Sequence, residues 1–211
     1  MPVYLTYFSV LVLLLPGLNR PLLAQNFKGS MHDFQAMGNK LFESDKPCLV
    51  CHPPHRSSSA EETLPIWSSK AVKDTFTVYG SAGPAEQPGL PLGSSKLCLS
   101  CHDGTLALDS WGGRVNTVPF LNAGFEDRKN GLKNDHPISV KYTSTNAMRT
   151  GELNDPFISN SGLGNTIETD MLTNGTLQCS SCHDVHNGMG AGKLLVKTNK
   201  NSNLCLTCHK K

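Results

Sequence analysis

The sequence predicts a mostly irregular chain with short α-helices and one small β-hairpin, wrapped around bound groups rather than around a large apolar interior. Three observations predict it. Hydrophobic residues are 38% of the 211 residues, against 19 glycines and 13 prolines, so the peptide alone is poorly supplied for a core. The eight cysteines all fall in four short stretches of one pattern, which leaves none for a disulfide framework. Those four stretches are also arranged as two copies of a longer unit.

The stretches are Cys48-Leu49-Val50-Cys51-His52, Cys98-Leu99-Ser100-Cys101-His102, Cys179-Ser180-Ser181-Cys182-His183 and Cys205-Leu206-Thr207-Cys208-His209. Each reads C-x-x-C-H, the spacing for covalent attachment of a c-type haem. The two cysteines form thioethers to the vinyl groups of one porphyrin, and the histidine beside them reaches the iron from one face. Zinc ribbons and redox dithiols also use C-x-x-C, but neither requires a histidine directly after every second cysteine. The expectation is four covalently attached haems, with Cys48, Cys51, Cys98, Cys101, Cys179, Cys182, Cys205 and Cys208 as anchors. His52, His102, His183 and His209 are the proximal ligands.

There are eight histidines, so four lie outside these motifs: His32, His55, His136 and His186. A lone histidine is more often a solvated or core side chain than a ligand. Here four spare imidazoles match four irons, and the set is expected to supply the distal ligands, making every haem bis-histidine. His55 lies three residues beyond His52, and His186 three beyond His183. A neighbour on the same turn is poorly placed to cross its own porphyrin, so this spacing points to haems packed closely enough to share ligands.

The longer unit is C-x-x-C-H-x-x-H, a spacer, then Leu-Cys-Leu-Ser/Thr-Cys-His, and it occurs twice. It divides the chain into a first dihaem module over residues 25–102, a connecting segment over 103–178 and a second dihaem module over 179–211. Residues 1–24 precede them: an apolar run followed by Leu22-Leu23-Ala24 reads as a secretory signal peptide cleaved before Gln25. The run is shorter than the roughly 20 apolar residues of a spanning helix, so no membrane span is expected in the mature form. The expected location is secreted, either periplasmic or extracellular.

Phe34, Leu41 and Phe42 suggest one helix entering the first motif and ending before Pro47. Asp33 is placed to accept the second imidazole proton of His32. Leu106, Leu108 and Trp111 are candidate packing residues against porphyrin. Residues 138–143 alternate as a strand, and Thr176-Leu177-Gln178, after the turn signal Asn174-Gly175, is its candidate partner in a hairpin carrying His136. With imidazole on both faces of every iron, Met31, Met37, Met148, Met171 and Met189 are left for packing. The formal net charge of +2 and the lack of a basic stripe argue against nucleic acid as a partner.

The repeated unit resembles the doubled C-x-x-C-H multihaem cytochromes. Asp135-His136-Pro137-Ile138-Ser139-Val140-Lys141-Tyr142, ahead of the third motif, is similar to a feature of secreted tetrahaem members of that group. These include extracellular cytochromes that polymerise into conducting filaments, the OmcE-like nanowire subunits. The resemblance implies loops and short helices around a haem chain, and electron transfer to other multihaem cytochromes rather than enzymatic turnover. It also implies head-to-tail homopolymers in which a histidine from one subunit completes a haem in the next, and His32 is the candidate for that ligand in trans. A soluble periplasmic shuttle using His32 within its own chain is the alternative. A multihaem redox enzyme would need one of the four spare histidines not to be a ligand.

Overall fold

A computed structural model describes residues 26–34, 36, 48, 51–52, 90–102, 132 and 135–210. The expected signal peptide, the helix entering the first motif, His55 and the segment holding Leu106, Leu108 and Trp111 lie outside these residues. The regular elements are helix α1 (Gly93–His102), strand β1 (Val140–Lys141), helix α2 (Ser144–Thr150), helix α3 (Ile167–Met171), strand β2 (Thr176–Leu177) and helix α4 (Cys205–Cys208). Single 3-10 turns occur at Cys179–Ser181 and Lys200–Ser202. The rest is loop, as the composition requires.

Short helices survive here because their ends are capped. Thr143 precedes α2 and its hydroxyl accepts from the Asn146 amide. Gly151 closes α2 at φ +68°, its amide donating to the Ala147 carbonyl. That left-handed conformation costs glycine nothing. Thr166 caps α3 in the same way, accepting from Thr169.

β1 and β2 pair antiparallel, Val140 opposite Leu177 and Lys141 opposite Thr176. The expected strands are present but do not form a hairpin, because α2 and α3 lie between them. The Asn174-Gly175 signal instead closes a tighter local turn, in which Thr173 and Thr176 exchange both backbone hydrogen bonds at 3.0 Å. Both central residues have positive φ (52° and 68°), as a two-residue primed turn demands.

Tyr142, Ala147, Ile167, Met171 and Leu204 form a buried cluster, with Leu153, Leu163, Leu195 and Val196 packed against it. The peptide of residues 135–210 thus builds a small core of its own, beyond what composition suggested. Cys182 and Cys208 pack on its flank, so two motifs are seated on that core. Of the described methionines assigned to packing, Met171 alone fills this role. Met31, Met148 and Met189 are exposed, and Met37 lies outside the described residues. Among the described residues, no helix is long and apolar enough to cross a membrane.

Candidate functional site

All four motifs adopt the same local form, one helical turn from first cysteine to histidine. In the first, the His52 amide donates to the Cys48 carbonyl at 2.8 Å. In the third, His183 donates to Cys179 at 3.0 Å, and in the fourth His209 donates to Cys205 at 2.9 Å. The second is the last turn of α1. Residues three and four apart on a helical turn share a face. The turns of the first, third and fourth motifs therefore present two sulfurs and an imidazole to the same side.

The turns are held by residues that sequence reasoning did not single out. Ser95 is fully buried in α1; its hydroxyl donates to Gln178 Oε1 at 2.6 Å and accepts from the Cys179 amide at 3.0 Å. Ser94 and Ser180 hydroxyls lie 2.7 Å apart alongside. The Gln178 amide donates to Ser181 Oγ, capping the third turn. The second and third motifs are thereby fastened to one another. The fourth is fastened to the core: the Tyr142 hydroxyl donates to the carbonyl of Asn154 and lies 3.3 Å from that of Cys208. The Asn154 amide also donates to Cys208 at 2.8 Å, and Lys197 Nζ donates to Thr207 Oγ1 at 2.9 Å. In the sequence, Ser95-Lys96-Leu97-Cys98 and Ser202-Asn203-Leu204-Cys205 echo one another ahead of the second and fourth motifs, the one local signal that bears on these fastenings.

Thiol electrostatics report the same adjacency. A hydrogen bond from Cys98, helped by one from Ser95, draws the Cys179 thiol down to about 7 against the effect of burial. Burial pushes Cys208 up to about 11, reinforced by Cys182, and burial raises Cys182 with help from Cys205. The second motif therefore neighbours the third, and the third the fourth. Cys48, Cys51, Cys98, Cys179, Cys182, Cys205 and Cys208 are not engaged in disulfides.

Six of the seven described histidines fall into three pairs. Ring centroids are 5.9 Å apart for His32 and His102, 6.2 Å for His52 and His186, and 6.1 Å for His136 and His209. Each pair joins one proximal histidine to one spare histidine. Burial, together with His102, His183 and His186, lowers His32 to about 4, so these imidazoles share one neighbourhood. His102 is lowered by burial and by His183.

The hydrogen bonding of the spare histidines suits coordination. A buried ring nitrogen of His32, Nδ1, has no hydrogen-bond partner among the described residues. His136 Nδ1 donates to the Pro137 carbonyl at 3.0 Å, which fixes the tautomer and leaves Nε2 as the electron-pair donor. Asp184 lies 3.9 Å from His186 Nδ1 while its two oxygens accept from the amides of His186 and Gly188. Asp33 does not orient His32: its carboxylate accepts from the backbone amides of Gly29 and Ala36. A short acid in a loop turns to nearby unsatisfied N–H groups before it reaches a ring.

Paired sulfurs on a turn, a histidine beside them and an unsatisfied imidazole opposite are the donor set of a c-type cytochrome. Residues 172–211 match the family described as the doubled CXXCH motif, which supports a multihaem c-type cytochrome with covalently attached haem. No curated protein matches the chain.

Proposed function

We propose that the protein is a secreted tetrahaem c-type cytochrome, a filament-forming extracellular subunit that passes electrons along closely spaced bis-histidine haems. The observation that carries the electron-transfer reading is the pairing of a spare histidine with a proximal one at three motifs. His55, outside the described residues, completes the count for the fourth. When bound, haem supplies reversible one-electron chemistry at iron. The chain's part is attachment through eight cysteines, orientation of the His136 imidazole by the Pro137 carbonyl, and partial burial of His32 and His102. Histidine on both faces leaves no position for substrate, which supports a carrier of electrons over an enzyme. Imidazole pairs also favour lower potentials than a His/Met pair.

The filament form is supported by the resemblance of the repeated unit and by exposed apolar side chains such as Met148, Phe157 and Ile158, which offer surface for contact between copies. The soluble periplasmic shuttle is favoured by a different observation, the seat of His32 against His102 of the same chain. Protein secreted from a host competent in cytochrome biogenesis should carry four haems by mass and spectroscopy, and be low-spin throughout. Electron micrographs of that material should show filaments; uniformly single particles, with every iron low-spin, would establish the shuttle instead.

A further inference from the structure

The two repeats each carry a histidine three residues beyond a proximal one, and the structure shows where one of these goes. His186 follows the third motif, yet its ring lies 6.2 Å from that of His52 in the first. Two imidazoles on opposite faces of one metal, each nitrogen about 2 Å from the ion, have centroids roughly 6 Å apart. The His32–His102 and His136–His209 pairs show the same separation, so the figure is a pattern of this chain. We infer that His186 is the distal ligand of the haem carried by Cys48 and Cys51, so that the first haem is attached by one repeat and closed by the other. The inference rests on the tetrahaem reading above.

Local structure supports the assignment. The His186 amide donates to Asp184 Oδ1 at 2.9 Å and the Asp184 amide to the Leu194 carbonyl at 2.7 Å, which fixes the turn that carries His186. The same loop receives the N-terminal segment: Asn187 Nδ2 donates to the Asn26 carbonyl at 2.9 Å, and Asn26 Nδ2 to the Gly188 carbonyl at 3.2 Å. The two residues that follow His186 thus hold the N-terminal segment of the first module. By the same geometry His32 serves the haem of His102 within its own chain, which removes it as a ligand donated in trans. A filament of this protein must then be joined by some other contact.

The test uses haem-loaded, full-length mature protein. In His186→Gly, one of the four haems should become high-spin and bind carbon monoxide when reduced, and added imidazole should restore the low-spin state. Combined with Cys48→Ser and Cys51→Ser, which leave three haems, the same change should add no high-spin haem. High-spin haem persisting in that combination, or none in the single variant, overturns the assignment. Wild-type protein gives an independent measurement: in the reduced, diamagnetic state the His186 ring protons should show nuclear Overhauser contacts to the haem on Cys48 and Cys51. Contacts to another haem alone overturn it. Fewer than four covalent haems in wild-type protein would instead refute the tetrahaem reading, so the two failures are distinguishable.

Discussion

The second and fourth motifs share Leu-Cys-Leu-x-Cys-His and a serine shortly before it, yet they are built differently. The second ends the ten-residue helix α1, with Ser95 buried and bonded to Gln178 and Cys179. The fourth follows a turn broken at Asn201 and Ser202, both with positive φ, and its equivalent serine, Ser202, is exposed. The turn from first cysteine to histidine is nonetheless common to both. The covalent spacing sets the turn, and the flanking residues set only what it is fastened to: another motif in the second case, the peptide core in the fourth.

That contrast predicts the largest effect at Tyr142. Its ring is part of the buried cluster and its hydroxyl faces the carbonyls of Asn154 and Cys208. Tyr142→Ala should open a cavity and cost about 3–5 kcal/mol, the range for deleting a buried aromatic. Chemical unfolding of the haem-loaded protein, followed through the haem absorption, measures this. Hydrogen exchange should show the loss concentrated at residues 205–209; equal loss across α1 would erase the distinction between the two anchorages.

Ser95→Ala comes next, at about 1–3 kcal/mol, because it leaves buried Gln178 Oε1 without its donor and the Cys179 amide without its acceptor. Its signature is exchange at the Cys179 amide rising while the Cys208 region stays protected. Lys197→Met probes the fourth motif in the same way. It removes an ammonium that bonds both the Ser161 carbonyl at 2.7 Å and Thr207 Oγ1 at 2.9 Å. Partial exposure reduces the expected loss to roughly 1 kcal/mol, confined to residues 205–209.

How much of this was legible follows from which interactions are local. The C-x-x-C-H turns can be read because attachment chemistry dictates residue type and spacing within five positions. The turn at Asn174-Gly175 can be read because few residues accept positive φ in succession. The partner of β1 was identified, but the connection was misread as a hairpin: nothing near residue 140 announces that α2 and α3 intervene. Ser95, Gln178 and Lys197 were invisible because their partners lie 83, 83 and 36 residues away. Asp33 was misjudged because backbone amides compete better than a neighbouring ring for a carboxylate. The peptide core was underrated because apolar content was averaged over the chain, while Tyr142, Ile167, Met171 and Leu204 are gathered into one place.

The smallest expected effect sits one step behind the fourth motif. Asp170, in α3, accepts from the Ser161 hydroxyl, from the Asn165 amide at 2.8 Å and from Asn165 Nδ2 at 3.0 Å. The Ser161 hydrogen bond holds its carboxyl below the usual carboxylate range. Ser161 in turn offers its carbonyl to Lys197. A depressed carboxylate stabilises the fold fully above its unfolded value of about 4, and that contribution is lost as pH falls through the lower folded value. Asp170→Asn should therefore be slightly less stable than wild type at pH 6, by less than about 1 kcal/mol because water screens the site. The difference should shrink as pH approaches 2. Taking the difference between the two proteins cancels the protonation of the histidines, which both share. Urea midpoints at the two pH values decide it: a gap independent of pH would mean that Asp170 acts through shape alone, and that the loop it gathers bears on the fourth motif without its charge.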